Sequence, residues 1–332
     1  MAKLWKAANE GRLNDVIRIV NKEKGIEKLK DGEGKTALMF ASLGGNLEVV
    51  KFLSPLSKMN EKSNHGWTAL LFACYQGHLD VVRWLLQNGA SIFEKVKGKT
   101  PLLWASDRGH LSLVQWLVSD YGCSVAERSK TRKTPFLEAV FHGNLNVAKW
   151  LLDNGSSINE KALYGMSPIL LASYSGHIEM VKWLLSVGSS ISERSLHSMK
   201  VTCLHVASEQ GHCNLVEWLL DNGCDLEEKD SDGKTALIYS ANKSGNVDVM
   251  NLLLERGASI HASDKRGNTA LFYAAKYHNM KQIQALMLYD CSLESTNNNG
   301  DTVFSINSKN TSFQEKISLM FRSMVKKRVS RF

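Results

Sequence analysis

The chain of 332 residues contains no long hydrophobic run and no closely paired cysteines. No stretch approaches the roughly 18 apolar residues of a transmembrane helix, and the N-terminus has no uninterrupted apolar core of signal-peptide length. The six cysteines lie scattered along the chain, which favours free thiols in a reducing compartment. We therefore predict a cytoplasmic protein, with the nucleus as the other compartment considered, and no transmembrane segment.

The sequence also lacks a complete catalytic, phosphate-binding or metal-binding motif. The stretches Gly32–Thr36 and Asp232–Thr235 look like phosphate loops, but Leu29 and Glu228 stand where such a loop requires its first glycine. Five possible metal ligands fall together without Cys-x-x-Cys or His-x-x-x-His spacing, namely Cys203, His205, His212, Cys213 and Cys224. Because no nucleophile, base and orienting group share a motif spacing, we predict no enzymatic activity, cofactor, metal or small-molecule substrate.

The basic charge is concentrated at one end of the chain. The formal net charge is +8, and five of these charges come from the C-terminal residues Arg322, Lys326, Lys327, Arg328 and Arg331. The remaining chain carries only about +3, which does not favour a general nucleic-acid-binding protein. The tail itself is open to three interpretations: a nuclear-import signal, a contact with acidic lipid, or a kinase site at Ser330.

What the sequence does contain is one segment repeated along its length. Residues 99–118 combine a Thr-Pro-Leu turn, a short helix centred on alanine, a Gly-His turn and an apolar second helix. The opening residue recurs every 32 to 35 residues, as Thr36, Thr68, Thr100, Thr134, Ser167, Thr202, Thr235, Thr269 and Thr302.

Positions counted from this opening residue keep the same chemical character in successive repeats. A large apolar residue follows two positions later and an alanine five positions later, as in Leu102 and Ala105. Nine positions later comes a glycine such as Gly109, which can adopt the positive φ that ends a helix. The second helix carries one apolar stripe, as in Val82 and Leu85. The pattern predicts two helices in each repeat.

A repeat of about 33 residues carrying Thr-Pro-Leu and Gly-His resembles the ankyrin repeat, and the resemblance covers nearly the whole chain. It implies an all-α solenoid of about ten helix-turn-helix units with projecting β-hairpin loops. On this basis we divide the chain into an N-terminal capping repeat (1–30), eight repeats (31–295), a degenerate C-terminal capping repeat (296–321) and a basic tail (322–332).

A tryptophan occupies the same place in the second helix of five successive repeats: Trp84, Trp116, Trp150, Trp183 and Trp218. An indole ring can pack between repeats while its N–H reaches water or a carbonyl group. Because the feature is periodic, we interpret it as packing between repeats and not as a ligand site.

The resemblance also implies where a partner binds, because ankyrin repeats usually bind through hairpin tips and the first helices, which line a concave groove. In the second to fifth repeats these places are rich in aromatic residues and arginine, the composition of interface hot spots. The predicted partner-binding residues are Trp67, Phe72, Tyr75, Lys97, Lys99, Trp104, Arg108, Arg132, Lys133, Glu138, Phe141, His142 and Tyr174.

We therefore predict a noncatalytic scaffold or adaptor, monomeric alone, that binds a protein partner in this groove. Seven cations on two neighbouring hairpins favour an acidic or phosphorylated partner: Lys95, Lys97, Lys99, Arg128, Lys130, Arg132 and Lys133. A solvated surface that only aids solubility is the simpler interpretation of these charges. The alternative function is binding to a polyanion or an acidic membrane surface through these hairpins and the tail.

Two further interpretations concern Glu138 and the histidines. Glu138 stands where neighbouring repeats have Phe72 and Trp104, so it either receives a basic side chain of the partner or pairs with Arg108. The histidines of the Gly-His turns, and His205 after Thr-Cys-Leu, are predicted to hydrogen-bond neighbouring backbone. The turn histidines are His78, His110, His177 and His212.

Overall fold

Short helices in successive pairs make up the protein, and the computed structural model describes residues 2–196, 199–242, 246–289, 291, 293–307, 314–320 and 322. The contacts divide the chain into an N-terminal unit, Met1–Leu163, and a C-terminal unit, Tyr164–Phe332. Each unit is a stack of helix-turn-helix repeats, as the sequence predicted.

The N-terminal unit contains five helix pairs within its described residues, 2–163. Their helices are α1 (Ala2–Asn9), α2 (Leu13–Lys22), α3 (Ala37–Leu43), α4 (Leu47–Leu53), α5 (Ala69–Gln76), α6 (Leu79–Gln87), α7 (Pro101–Arg108), α8 (Leu111–Ser119), α9 (Pro135–Phe141) and α10 (Leu145–Asp153). The first helix of each pair packs against the first helix of the next, from α1 through α9. This stacking brings residues at equivalent places in successive first helices side by side.

The described residues of the C-terminal unit form four further pairs. Their helices are α11 (Pro168–Tyr174), α12 (Ile178–Ser186), α13 (Cys203–Gln210), α14 (Cys213–Asp221), α15 (Ala236–Ser240), α16 (Val247–Glu255), α17 (Ala270–Lys276) and α18 (Met280–Leu288). In the region assigned to the C-terminal cap, a 3-10 turn at Ser305–Asn307 contacts α17 and a helical segment covers 314–320. Phe313, Phe321 and tail residues 323–332 lie outside the described residues.

The repeated threonine begins several of the first helices because its side chain satisfies a free backbone donor. The hydroxyl oxygens of Thr68 and Thr100 accept hydrogen bonds from the N–H groups of Leu71 and Leu103, each at 3.3 Å. Substituting such a cap by alanine typically costs about 1 kcal/mol. Pro101 fits directly after the cap, because an N–H group in the first helical turn has no acceptor within the helix and proline lacks that group.

The Gly-His turns join neighbouring repeats. The imidazole Nε2 atoms of His78, His110 and His212 lie 2.9–3.1 Å from a backbone carbonyl oxygen of the preceding first helix. Nε2–H donation to these oxygens satisfies acceptors that a helix end leaves free. The structural interpretation of these three histidines is therefore confirmed. His205 likewise contacts the carbonyl oxygen of Glu228 at 2.9 Å, and burial holds its pKa below the usual value.

We expect Gly77→Ala to lower the free energy of unfolding by about 2–5 kcal/mol. Gly77 ends α5 with φ +84°, where an L-residue costs about 1–2 kcal/mol. A Cβ there would also lie 2.4 Å from Nδ1 of His110 and would displace the imidazole from its carbonyl acceptor, which adds about 1–3 kcal/mol.

Gly89→Ala supplies the control for Gly77→Ala. Gly89 has φ +92°, but no atom lies within 4 Å of a Cβ built on it, so only the conformational cost of about 1–2 kcal/mol should appear. Urea unfolding of both variants measures the difference. Equal destabilisation would show that the close approach of His110 to Gly77 contributes nothing.

Tight turns form the projecting hairpins. Among the described residues, β-bridges occur at Val96–Lys99 and Ser263–Thr269. The residue two before the opening threonine has a positive φ, as in Gly66 (82°) and Gly98 (78°). Arg132 (φ 60°) and Lys200 (φ 47°) adopt the same region in the two repeats that lack this glycine.

The repeated tryptophans are half-buried on the second helices. The guanidinium carbon of Arg83 lies 5.3 Å from the ring centre of Trp116 in the next repeat, and Nζ of Lys182 lies 5.9 Å from that of Trp218. A cation from one repeat therefore covers the indole of the next. This geometry fits packing between repeats.

Candidate functional site

The predicted partner-binding residues differ widely in exposure. Lys97, Arg108, Arg132, His142 and Tyr174 are exposed, and Trp67, Tyr75, Lys99, Lys133 and Phe141 are half-buried. Phe72, Trp104 and Glu138 are buried. All except Tyr174 belong to the N-terminal unit. Binding by these residues stays a prediction, but the three buried side chains cannot supply the open surface that the sequence interpretation gave them.

The buried residues share one place in the repeat, four positions after the opening threonine. Phe72, Trp104 and Glu138 are 7%, 6% and 0% exposed. Stacking of successive first helices covers this place, whereas side chains eight positions after the threonine, such as Arg108 and His142, remain accessible. The exposed face of the first helix is therefore narrower than the sequence predicted.

Four aromatic side chains form a continuous cluster on α5, α7 and the hairpin before α5. The ring of Trp67 lies 5.0 Å from Phe72, 5.4 Å from Tyr75 and 5.1 Å from Trp104, between ring centres. Tyr75 also meets Trp104 edge-on at 5.4 Å. Such ring pairs contribute about 0.5–1.5 kcal/mol each beyond burial. The cluster therefore holds the half-buried edge of Tyr75 in a fixed place.

Arg108 covers the outer side of this cluster. Its guanidinium carbon lies 4.0 Å from the ring centre of Tyr75, and the guanidinium also contacts the tyrosine hydroxyl. The side chain of Arg108 is 42% exposed and lies 3.5 Å from the carboxylate of Asp107. The suggested pairing of Arg108 with Glu138 was thus wrong, because Arg108 stacks on Tyr75 instead.

Glu138 belongs to a buried charge network. Its Oε2 atom lies 3.0 Å from Nζ of Lys99 and 3.4 Å from Nζ of Lys133. Lys99 also contacts the carboxylate of Asp107, which is only 5% exposed. The other possibility considered for Glu138, contact with a basic side chain of a partner, stays a prediction, although two lysines of this chain already contact its fully buried carboxylate.

The two lysines reach the network from the hairpins that precede α7 and α9. Each is the residue directly before the opening threonine and is turned inward, so that Nζ of Lys99 lies 4.8 Å from the ring centre of Trp104. Nζ of Lys133 lies 3.5 Å from the ring centre of Phe141. Burial lowers the pKa of Lys133, although Glu138 opposes this shift. Both lysines therefore serve structure more than surface charge.

His142 lies at the outer edge of the network. Its Nδ1 atom is 3.0 Å from the backbone carbonyl oxygen of Glu138, and its Nε2 atom is 3.7 Å from Asp107. Asp107, Glu138 and His142 could together present three ligand atoms within 4.8 Å of one another. The ammonium group of Lys99 already contacts both carboxylates, so a side-chain cation occupies the place that a metal ion would take.

The cysteine and histidine residues of the sixth Thr-anchored repeat take separate roles. Cys203 is fully buried, and burial raises the pKa of its thiol to about 12. His205 and His212 contact backbone carbonyl groups at different places. The arrangement is that of packing and backbone hydrogen bonding.

Paired helices, threonine caps and hairpins at fixed intervals define a helix-turn-helix repeat protein. Family models for ankyrin repeats match residues 4–96 and 169–264 (three-copy model), 130–185 (many-copy model) and 97–130 (single repeat). The chain belongs to the ankyrin repeat family. No curated protein matches it. Among the described residues, no helix is both long enough and apolar enough to cross a membrane.

Proposed function

We propose that the chain is a noncatalytic scaffold or adaptor that binds a protein partner through the hairpins and first helices of its N-terminal unit. Ankyrin repeats are generally protein–protein interaction modules. The observation that carries the finer proposal is the Arg108–Tyr75 pair. Both side chains are partly exposed to solvent, and Tyr75 packs against the buried ring of Trp104. Arginine and tyrosine are both enriched at interface hot spots.

Preorganisation supports this proposal. The rings of Trp67 and Trp104 and the network around Glu138 fix the surface on which Tyr75, Arg108 and His142 stand. A partner then orders few side chains on this surface, and each such ordering otherwise costs about 0.5–1.5 kcal/mol. We further propose that the partner is acidic or phosphorylated, and that the protein is monomeric and acts in the cytoplasm or the nucleus.

Charge reversal at Arg108 tests the proposal. Partners are first captured from a native lysate on the immobilised protein and identified, and their affinities for purified variants are then measured by calorimetry. We expect Arg108→Glu to weaken binding of a specific partner by at least about tenfold, since a hot-spot arginine contributes about 2 kcal/mol or more.

Arg83→Glu is the matched control for Arg108→Glu. Arg83 is also an exposed arginine over an aromatic ring, Trp116, but it lies on the second helix. Thermal unfolding of both variants shows whether either change disturbs the fold. Equal affinity of wild type and Arg108→Glu, or equal losses for both variants, would rule out the proposed surface.

A further inference from the structure

Four cations stand on two neighbouring hairpins of the N-terminal unit. Lys97 is part of the turn that the Val96–Lys99 bridge closes, and Arg128, Lys130 and Arg132 belong to the next hairpin, before Thr134. All four side chains are exposed. We call these four residues the cationic tips. They are what remains of the seven hairpin cations once Lys99 and Lys133, which turn inward, and Lys95, which lies near Glu127, are set aside.

The acidic residues near the cationic tips are committed elsewhere. Glu94 forms an ion pair with Lys62 at 2.6 Å, and Glu127 and Glu160 accept hydrogen bonds from the hydroxyl groups of Thr100 and Thr134. Asp107 and Glu138 bind the two inward lysines. Among the described residues, none of these carboxylates forms an ion pair with a cationic tip. In the part of the N-terminal unit that the structure describes, no ion pair therefore neutralises a cationic tip.

The backbone brings the cations of the two hairpins together. A Cβ built on Gly98 would lie 2.4 Å from Cγ of Lys130, so the aliphatic chain of Lys130 crosses the hairpin that carries Lys97. Nη1 of Arg128 donates to the carbonyl oxygens of Arg132 (2.7 Å) and Lys161 (3.1 Å), which fixes its guanidinium group. Like charges held together in this way repel one another, and an anion relieves that repulsion.

Arg132 and Lys97 have backbone conformations that are unfavourable for residues with a side chain. Both have positive φ values, 60° and 51°, although Gly or Asn suits this region better. Seven of the nine anchored repeats use glycine at the place of Arg132. Backbone strain of this kind clusters at functional sites.

We propose that the cationic tips bind an acidic segment of the protein partner, a run of aspartate and glutamate side chains that crosses both hairpins. The proposal rests on the proposed function, because it describes the chemistry of that partner. A short acidic segment fits better than nucleic acid or an anionic membrane because the charge is local. In the preceding hairpins Lys35 pairs with Glu33, at 2.5 Å, and Lys62 pairs with Glu94.

The test uses a fluorescent octaglutamate peptide as the probe and fluorescence anisotropy as the measurement. The variant combines Lys97→Asn, Lys130→Gln and Arg132→Gly, since Asn and Gly suit positive φ and preserve the turns. The control combines Lys22→Gln, Lys24→Gln and Lys28→Gln, which removes the same charge from exposed lysines of the first repeat. We expect about tenfold weaker peptide binding for the tip variant and little change for the control.

Three comparisons complete the test. Wild-type binding to octaglutamate should weaken with added salt, and octaglutamine should not bind. Equal binding of octaglutamate by the tip and control variants would overturn the proposal. Tip-dependent binding to oligothymidylate or to phosphatidylserine vesicles that is tighter than binding to octaglutamate would also overturn it, in favour of a polyanion or membrane surface.

The affinity of the captured partner for the Arg108→Glu and tip variants distinguishes this proposal from the proposed function. Loss of that partner in Arg108→Glu together with full affinity in the tip variant would overturn the acidic-segment proposal and leave the scaffold function intact. Full affinity in both variants would overturn both. Weakened binding of the partner in both variants is the result we expect.

Discussion

Replacing Trp104 by alanine is expected to lower the free energy of unfolding by about 3–5 kcal/mol. The Trp104 side chain is 6% exposed and packs with Leu71 and Val96, and its ring lies against Trp67 and Tyr75. Its removal would leave a cavity that the neighbouring helices can close only in part. Urea denaturation followed by circular dichroism measures the effect.

Trp104→Phe is the control for this prediction. Nε1 of Trp104 is buried without a hydrogen-bond partner among the described residues, so phenylalanine keeps a ring and removes an unsatisfied donor. We expect this variant to lose less than about half of what Trp104→Ala loses. A Trp104→Ala protein with wild-type stability would mean that the aromatic cluster does not stabilise the packing of α5 and α7. Trp104 would then have to be regarded as a surface residue.

Repeat spacing was enough to predict the helices, because each place in an ankyrin repeat has the same neighbours in every copy. The threonine caps, the buried alanines and the contacts of His78 and His110 follow from that register. The positive φ of Arg132 and Lys200 follows as well, since seven sister repeats place glycine there. Stacking of the repeats determines the turn, and the residue at this position adopts a positive φ even when it is not glycine.

The candidate surface depends on side-chain directions that the register does not determine. Lys99 and Lys97 stand two residues apart on one hairpin, yet Lys99 turns inward and Lys97 remains exposed. The difference depends on Asp107 and Glu138, which are 8 and 39 residues from Lys99 along the chain. The sequence signal for this network was Glu138, a carboxylate at a repeat position that is apolar in the neighbouring repeats.

Glu138→Gln is expected to lower the free energy of unfolding by about 3–5 kcal/mol, the usual cost of removing one partner from a buried ion pair. Lys133 would lose the carboxylate that it contacts at 3.4 Å, and Lys99 would keep only Asp107. Two half-buried ammonium groups would then share one counter-charge. Urea denaturation at neutral pH measures the change.

Glu48→Gln makes the same substitution in an exposed ion pair and is the matched control. Glu48 lies 2.7 Å from Lys51 but is 66% exposed, so we expect a loss below about 1 kcal/mol. A second variant separates charge from shape: adding Lys133→Met to Glu138→Gln should recover part of the loss, because the methionine needs no counter-charge. Glu138→Gln and Glu48→Gln proteins of equal stability would show that the network does not hold α7 and α9 together. A loss at Glu138 without recovery in the double variant would show that the unpaired charge of Lys133 does not cause it.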